Sequence, residues 1–118
     1  RMREDALVTI LGDPIPGQDK YLGGSLGSDG CVYGIPGHAK QVIKIDPTTQ
    51  EVSLIGGPFP GKFKWLRSVV GNDGIIYGIP CHAETVLTIN PKNGECKQIG
   101  GPFKGNWKWH GAVLAPNN

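Results

Sequence analysis

The chain has 118 residues, with 12 Lys plus Arg against 10 Asp plus Glu and a formal net charge of +2. That length holds one ordinary domain and argues against a second, and so small a basic excess excludes nucleic acid as a partner recruited by bulk charge. Its 19 Gly and 10 Pro, free of low-complexity runs, point to short elements joined by tight turns and so to an all-β class.

In chain order, residues 6–11 read as the last strand, d, of one unit, and residues 21–26 as the first strand, a, of the next, so that 6–26 forms a partial blade. Ser28-Asp29-Gly30 is a turn suited to positive φ. Strand b follows over Cys31–Ile35, rich in β-branched and aromatic residues and stopped by Pro36. Strand c is Val42–Ile45, Asp46-Pro47-Thr48-Thr49 is a hairpin turn, and strand d is Glu51–Ile55. The order then returns: a over Trp65–Val70, the turn Asn72-Asp73-Gly74, b over Ile75–Ile79, c over Val86–Ile89, d over Glu95–Ile99, and a lone strand a over 109–114.

The return is a repeat. Gly27–Val70 aligns over Gly71–Leu114 without a gap, and 22 of the 44 positions are identical. Tyr33-Gly34-Ile35-Pro36 recurs as Tyr77-Gly78-Ile79-Pro80, His38-Ala39 as His82-Ala83, and Lys64-Trp65 as Lys108-Trp109. A third, more divergent copy runs through Leu11–Gly17 and Lys20-Tyr21-Leu22. A period of this length without helical periodicity is the range of propeller blades, and each unit reads as a four-stranded antiparallel meander. Small residues in strand a, such as Gly23, Gly24, Ser68 and Gly111, suit a crowded central axis. Lys97 and Gln98 make strand d polar, as an outer edge requires.

The Asp-Gly turn, the hydrophobic-Tyr strand and the Ile45-Asp46-Pro47-Thr48 hairpin resemble the blades of kelch and NHL β-propellers. The kelch double glycine after strand b is replaced by Gly-Ile-Pro, with Gly56-Gly57 after strand d instead. The resemblance implies a single repeat array over 1–118, with blade one at 21–55, blade two at 65–99 and incomplete units on either side. Fewer than three whole repeats seldom bury a continuous core. The chain therefore reads as a piece of a longer array, or as a subunit that shares blades with further copies. It opens at Arg1 rather than at a methionine, so an upstream segment is expected, or else a start at Met2.

In a meander, the loop before strand a and the b–c loop share one end, while the a–b and c–d turns share the other. The first end collects Lys20, Tyr21, Lys62, Lys64, Trp65, Lys104, Lys108 and Trp109, with His38, Cys81 and His82; the second collects Asp29, Asp46 and Asp73, with Glu51 and Glu95. This predicts a basic, aromatic face that meets an acidic protein or an anionic ligand, its site residues being Lys20, Tyr21, His38, Lys64, Trp65, His82, Lys108 and Trp109. The bland alternatives are that the aromatics wedge between blades, that the lysines are solvated, and that each imidazole bonds a backbone carbonyl. Core packing is favoured for the aromatics.

No metal or cofactor is expected, because neither His38 nor His82 has a companion at ligand spacing in its own unit. His110 could approach His82 from a neighbouring blade. Cys81-His82 is not repeated, since Gly37 stands in the first copy. P-loop, dinucleotide and G-x-S-x-G motifs are absent. The expected function is a non-catalytic binding or scaffolding module. The alternatives are a lectin with one site per blade, a fragment of a propeller hydrolase or lactonase, and an accessory subunit of a large complex. Cys31, Cys81 and Cys96 form no CxxC pair or closed disulfide set, which favours an intracellular location. No window approaches the roughly 20 apolar residues that span a bilayer.

Overall fold

The structure is a computed structural model that describes residues 7–117. Eight strands follow one another: β1 (Tyr21–Leu26), β2 (Val32–Pro36), β3 (Val42–Asp46), β4 (Glu51–Ile55), β5 (Trp65–Val70), β6 (Ile76–Pro80), β7 (Val86–Asn90) and β8 (Glu95–Ile99). They form two antiparallel meanders, β1-β2-β3-β4 and β5-β6-β7-β8. The 44-residue offset survives in fine geometry, since both sheets carry a register shift at the same place, between Tyr21 and Gly23 and between Trp65 and Arg67. No helix among the described residues is long and apolar enough to cross a membrane.

The second strand of each sheet starts one residue later than its sequence suggests, and the a–b turn explains why. Asp29 accepts the Cys31 N–H through Oδ1 at 3.0 Å and the Tyr33 hydroxyl through Oδ2 at 2.6 Å. Asp73 does the same with Ile75 and Tyr77, at 3.0 and 2.6 Å. The residue after the Asp-Gly turn is thereby held by a side chain and not by the ladder. The Tyr77 hydroxyl and the Ile75 amide hold the Asp73 carboxyl below its usual range. Tyr33 is fully buried, so Tyr33→Phe strands a hydrogen-bonded carboxylate. The variant is expected to lose about 2 kcal/mol in urea denaturation, and Tyr77→Phe, in the partly exposed copy, less.

The core lies between the sheets. β5 runs beside β1, closely enough that a Cβ on Gly23 would strike the Leu66 carbonyl. Ser25 and Ser68 hydroxyls bond across the seam at 2.6 Å. One face of the first sheet (Tyr33, Ile35, Val42) packs on the opposite face of the second (Trp65, Ile76, Leu87, Ile89) in a single cluster. The equivalent positions on the outer faces are less covered: Val32 is 40% exposed where its counterpart Ile76 is 0%, and Ile79 is part-exposed where Ile35 is buried.

Two expectations need correction. Residues 7–11 and 109–114 are not strands; Ala6, expected in the first of these, lies outside the described residues. Neither segment finds a ladder partner among the described residues, and an extended segment without a partner is not a strand. Both still lie where neighbouring blades would put them. Gly12 abuts Val52 as Gly56 abuts Cys96, and Leu114 lines a groove with Tyr77, Ile79 and Val86, as Val70 packs on the Tyr33–Ile35–Val42 cluster.

Candidate functional site

The loops before the a strands and the b–c loops meet at one end of the molecule, and backbone hydrogen bonds lace them together. Within the first unit, His38 N–H donates to Asp19 O at 3.0 Å and Gly37 N–H to Lys20 O at 2.8 Å. The second unit repeats this with His82 to Phe63 and Cys81 to Lys64, at 2.9 and 2.8 Å. A third type of bond steps from unit to unit: Lys64 N–H to Gly37 O, and Lys108 N–H to Cys81 O, both 3.1 Å. Each b–c loop is therefore clamped by the loop of its own unit and by that of the next.

Lys64 does not line an open basic surface, and that expectation is corrected. It is 4% exposed, and its Nζ donates to the carbonyls of Gly37, Ala39 and Gly61 at 2.8, 2.8 and 3.0 Å. Three donors meet three acceptors, which leaves none for a ligand. Burial pulls its pKa down to about 8. Lys20 donates to Ile15 O and Lys108 to Gly105 O, each at 2.6 Å, so each keeps donors to offer.

The large residues at the head of strand a are inter-blade pieces first. Trp65 is 1% exposed, bonds Thr85 O through Nε1 at 2.7 Å and meets Phe59 edge-on at 5.4 Å. Tyr21 uses its hydroxyl for the equivalent carbonyl, Gln41 O, at 2.8 Å. Trp109 keeps the matching contact with Phe103 at 5.8 Å, yet is 47% exposed.

The histidines act as acceptors, where sequence suggested donors to carbonyls. His38 Nδ1 accepts the Phe63 N–H and His82 Nδ1 the Trp107 N–H, both at 3.3 Å. The rings run on as a row: His38 to Phe63 at 4.4 Å, Phe63 to His82 at 5.5 Å, His82 to Trp107 at 4.5 Å and Trp107 to His110 at 6.2 Å. His110 thus reaches His82 only through Trp107. Cys81 Sγ lies 3.6 Å from His82 Nδ1 but is wholly buried. No group of His, Cys, Asp or Glu among the described residues could hold a metal.

Sequence reasoning missed Phe63, Trp107 and Asp19. They occupy one repeat position, and all three have positive φ, 47°, 53° and 46°, a conformation uncommon for side chains of this bulk. Because the position holds Asp, Phe and Trp, residue identity gives no signal. Only its fixed place two residues after Gly17, Gly61 and Gly105 could have found it.

The same loops enclose a cleft in each unit. One, of about 560 Å³, is lined by Phe59, Lys62, His82, Glu84 and Gln98 among others. The other, of about 420 Å³, is lined by Ile15, Gln18, His38, Lys40 and Leu54 among others. Every residue lining the first has its counterpart, 44 positions earlier, lining the second.

No protein-family model and no curated protein matches the chain. Solved structures do. Virginiamycin B lyase from Staphylococcus aureus is similar with a TM-score of 0.61 and 14% identity, over 75% of this chain and 30% of that one. Hydrazine synthase from Kuenenia stuttgartiensis is similar with a TM-score of 0.61 and 18% identity, over 93% and 30%. The fold is that of β-propeller blades. At these identities the likeness carries the fold alone, and the chain spans about 30% of the length of those neighbours. The expectation of a non-enzyme is overturned, because a lyase stands among the similar structures and this architecture therefore gives no ground for excluding catalysis.

Proposed function

We propose that the chain is a two-blade stretch of a larger β-propeller of kelch or NHL type. In this reading the end bearing the His–aromatic row is its ligand end, taking an anionic ligand or the acidic surface of a partner protein. The outer sheet faces support the larger propeller, since their apolar residues match those of the buried seam position by position and want the same cover. The row itself supports the ligand end. Its spacing follows the repeat, its backbone holds bulky residues at positive φ, and such strained positions gather at binding sites. Lys20 and Lys40 line the same cleft as His38, and Lys62 the same cleft as His82, whereas Asp29, Asp46 and Asp73 at the far end spend their carboxylates on turns.

Location of charge, and not its amount, is what this reading asserts. Lys62→Glu with Lys108→Glu is expected to elute from a carboxylated matrix at markedly lower salt than Lys92→Glu with Lys97→Glu, which changes the same charge elsewhere. Equal elution of the two pairs removes the reading. Trp107→Ala, which deletes a ring of the row that is 52% exposed, should also elute earlier without a change in net charge.

A further inference from the structure

Resting on that reading, we propose that the anionic ligand is an acidic polysaccharide, and that each of the two equivalent clefts takes one carboxylated sugar unit. Repetition comes first. A ligand built of identical units is matched by a cleft built once per blade, and linked sites gain by effective concentration what each lacks in affinity. Both clefts fall within the size range of small-molecule sites, which suits a single ring better than a folded surface.

The walls fit a pyranose. Apolar residues recur in the lining, Ile15 and Pro16 in the first cleft, Phe59 and Pro60 in the second, and of these the exposed Pro16 and Pro60 offer a surface to the carbon face of a ring. Neutral hydrogen-bonding groups stand in both clefts, though at positions that do not correspond in the repeat. Gln18 and Gln41 line the first cleft and Gln98 the second, and Gln98 Oε1 accepts the Thr85 hydroxyl at 2.8 Å, leaving its NH₂ to donate. Such amides suit hydroxyl groups, and a site made only for carboxylates would have little use for them.

Each cleft also carries an exposed lysine, on opposite walls: Lys40 on the b–c loop of the first and Lys62 on the loop before β5 in the second. Among the described residues neither has a carboxylate within ion-pair distance. The one acid in the second cleft, Glu84, is neutralised by Lys104 at 3.0 Å. A sugar carboxylate therefore finds a cation in both.

The test uses the 118-residue chain and three probes of equal length: an oligogalacturonate, a neutral oligoglucose and a polyglutamate. The oligogalacturonate is expected to bind at least tenfold tighter than either of the others. Lys40→Gln with Lys62→Gln should weaken it more than tenfold, and Gln98→Ala should weaken it severalfold while circular dichroism stays unchanged. Polyglutamate binding as tightly as oligogalacturonate overturns the saccharide assignment but leaves the anionic end standing. Oligoglucose binding equally overturns the role of the lysines, and with it the proposal. If neither polyanion binds, both the proposal and the reading beneath it fall.

Discussion

Trp65→Ala is expected to lower the unfolding free energy by about 3 to 5 kcal/mol, the range for deleting a buried Trp or Phe, while Trp109→Ala loses much less. The two residues are the same position of the same repeat, so their difference isolates the seam. Trp65 is 1% exposed between the sheets and satisfies its indole N–H on Thr85 O, whereas Trp109 is 47% exposed with one aromatic neighbour. A loss of this size is a large part of the stability of any small domain. Trp65→Phe serves as the milder companion, because it keeps most of the ring volume and removes the hydrogen bond. It should lose about 1 to 2 kcal/mol. Guanidinium unfolding followed by far-ultraviolet circular dichroism reads all three variants. Equal losses at positions 65 and 109 would mean that the inter-sheet seam is not where the stability resides.

The contrast between these tryptophans also marks what the sequence could and could not reveal. Repetition made the meanders legible: Asp29 and Asp73, Pro36 and Pro80, and the matching hydrophobic runs each specify a turn or strand by local chemistry, and local chemistry is written in the residues themselves. The roles of repeated side chains were not so written. Lys64 and Lys108 are identical in type and place, yet one is enclosed by three carbonyls and the other part-exposed, because enclosure depends on how the b–c loop and its neighbours close around the ammonium. The His–aromatic row was half visible. His38 and His82 repeat, but the rings between them come from a position that holds Phe in one copy and Trp in the next. What the repeat preserves there is a backbone conformation, and positive φ at a bulky residue has no signature in composition. The terminal segments failed as strands for a related reason, since pairing belongs to two strands and neither segment has a partner among the described residues.

Lys64→Met is expected to lower stability by about 2 kcal/mol at neutral pH, and by more as the pH rises toward 10. The substitution keeps the stem and removes the ammonium. Gly37 O retains the Lys64 backbone N–H, but Ala39 O and Gly61 O, in part-buried bonds, lose a donor each, and an acceptor left alone away from water costs up to about 1 to 3 kcal/mol. Relief from burying a charge offsets part of that. The offset is what depends on pH. Burial sets the folded-state pKa at about 8 against an ordinary 10.5, so between those values the unfolded chain holds the extra proton and the folded chain does not. Stability of the wild type therefore rises with pH through that window. Below pH 8 both states are protonated and the burial penalty is present in full. The methionine variant lacks this limb, so the gap between the two proteins widens from pH 7 to pH 10. Urea titrations at the two pH values measure it. A gap that stays constant would show that Lys64 keeps its proton throughout, with the three carbonyls outweighing burial.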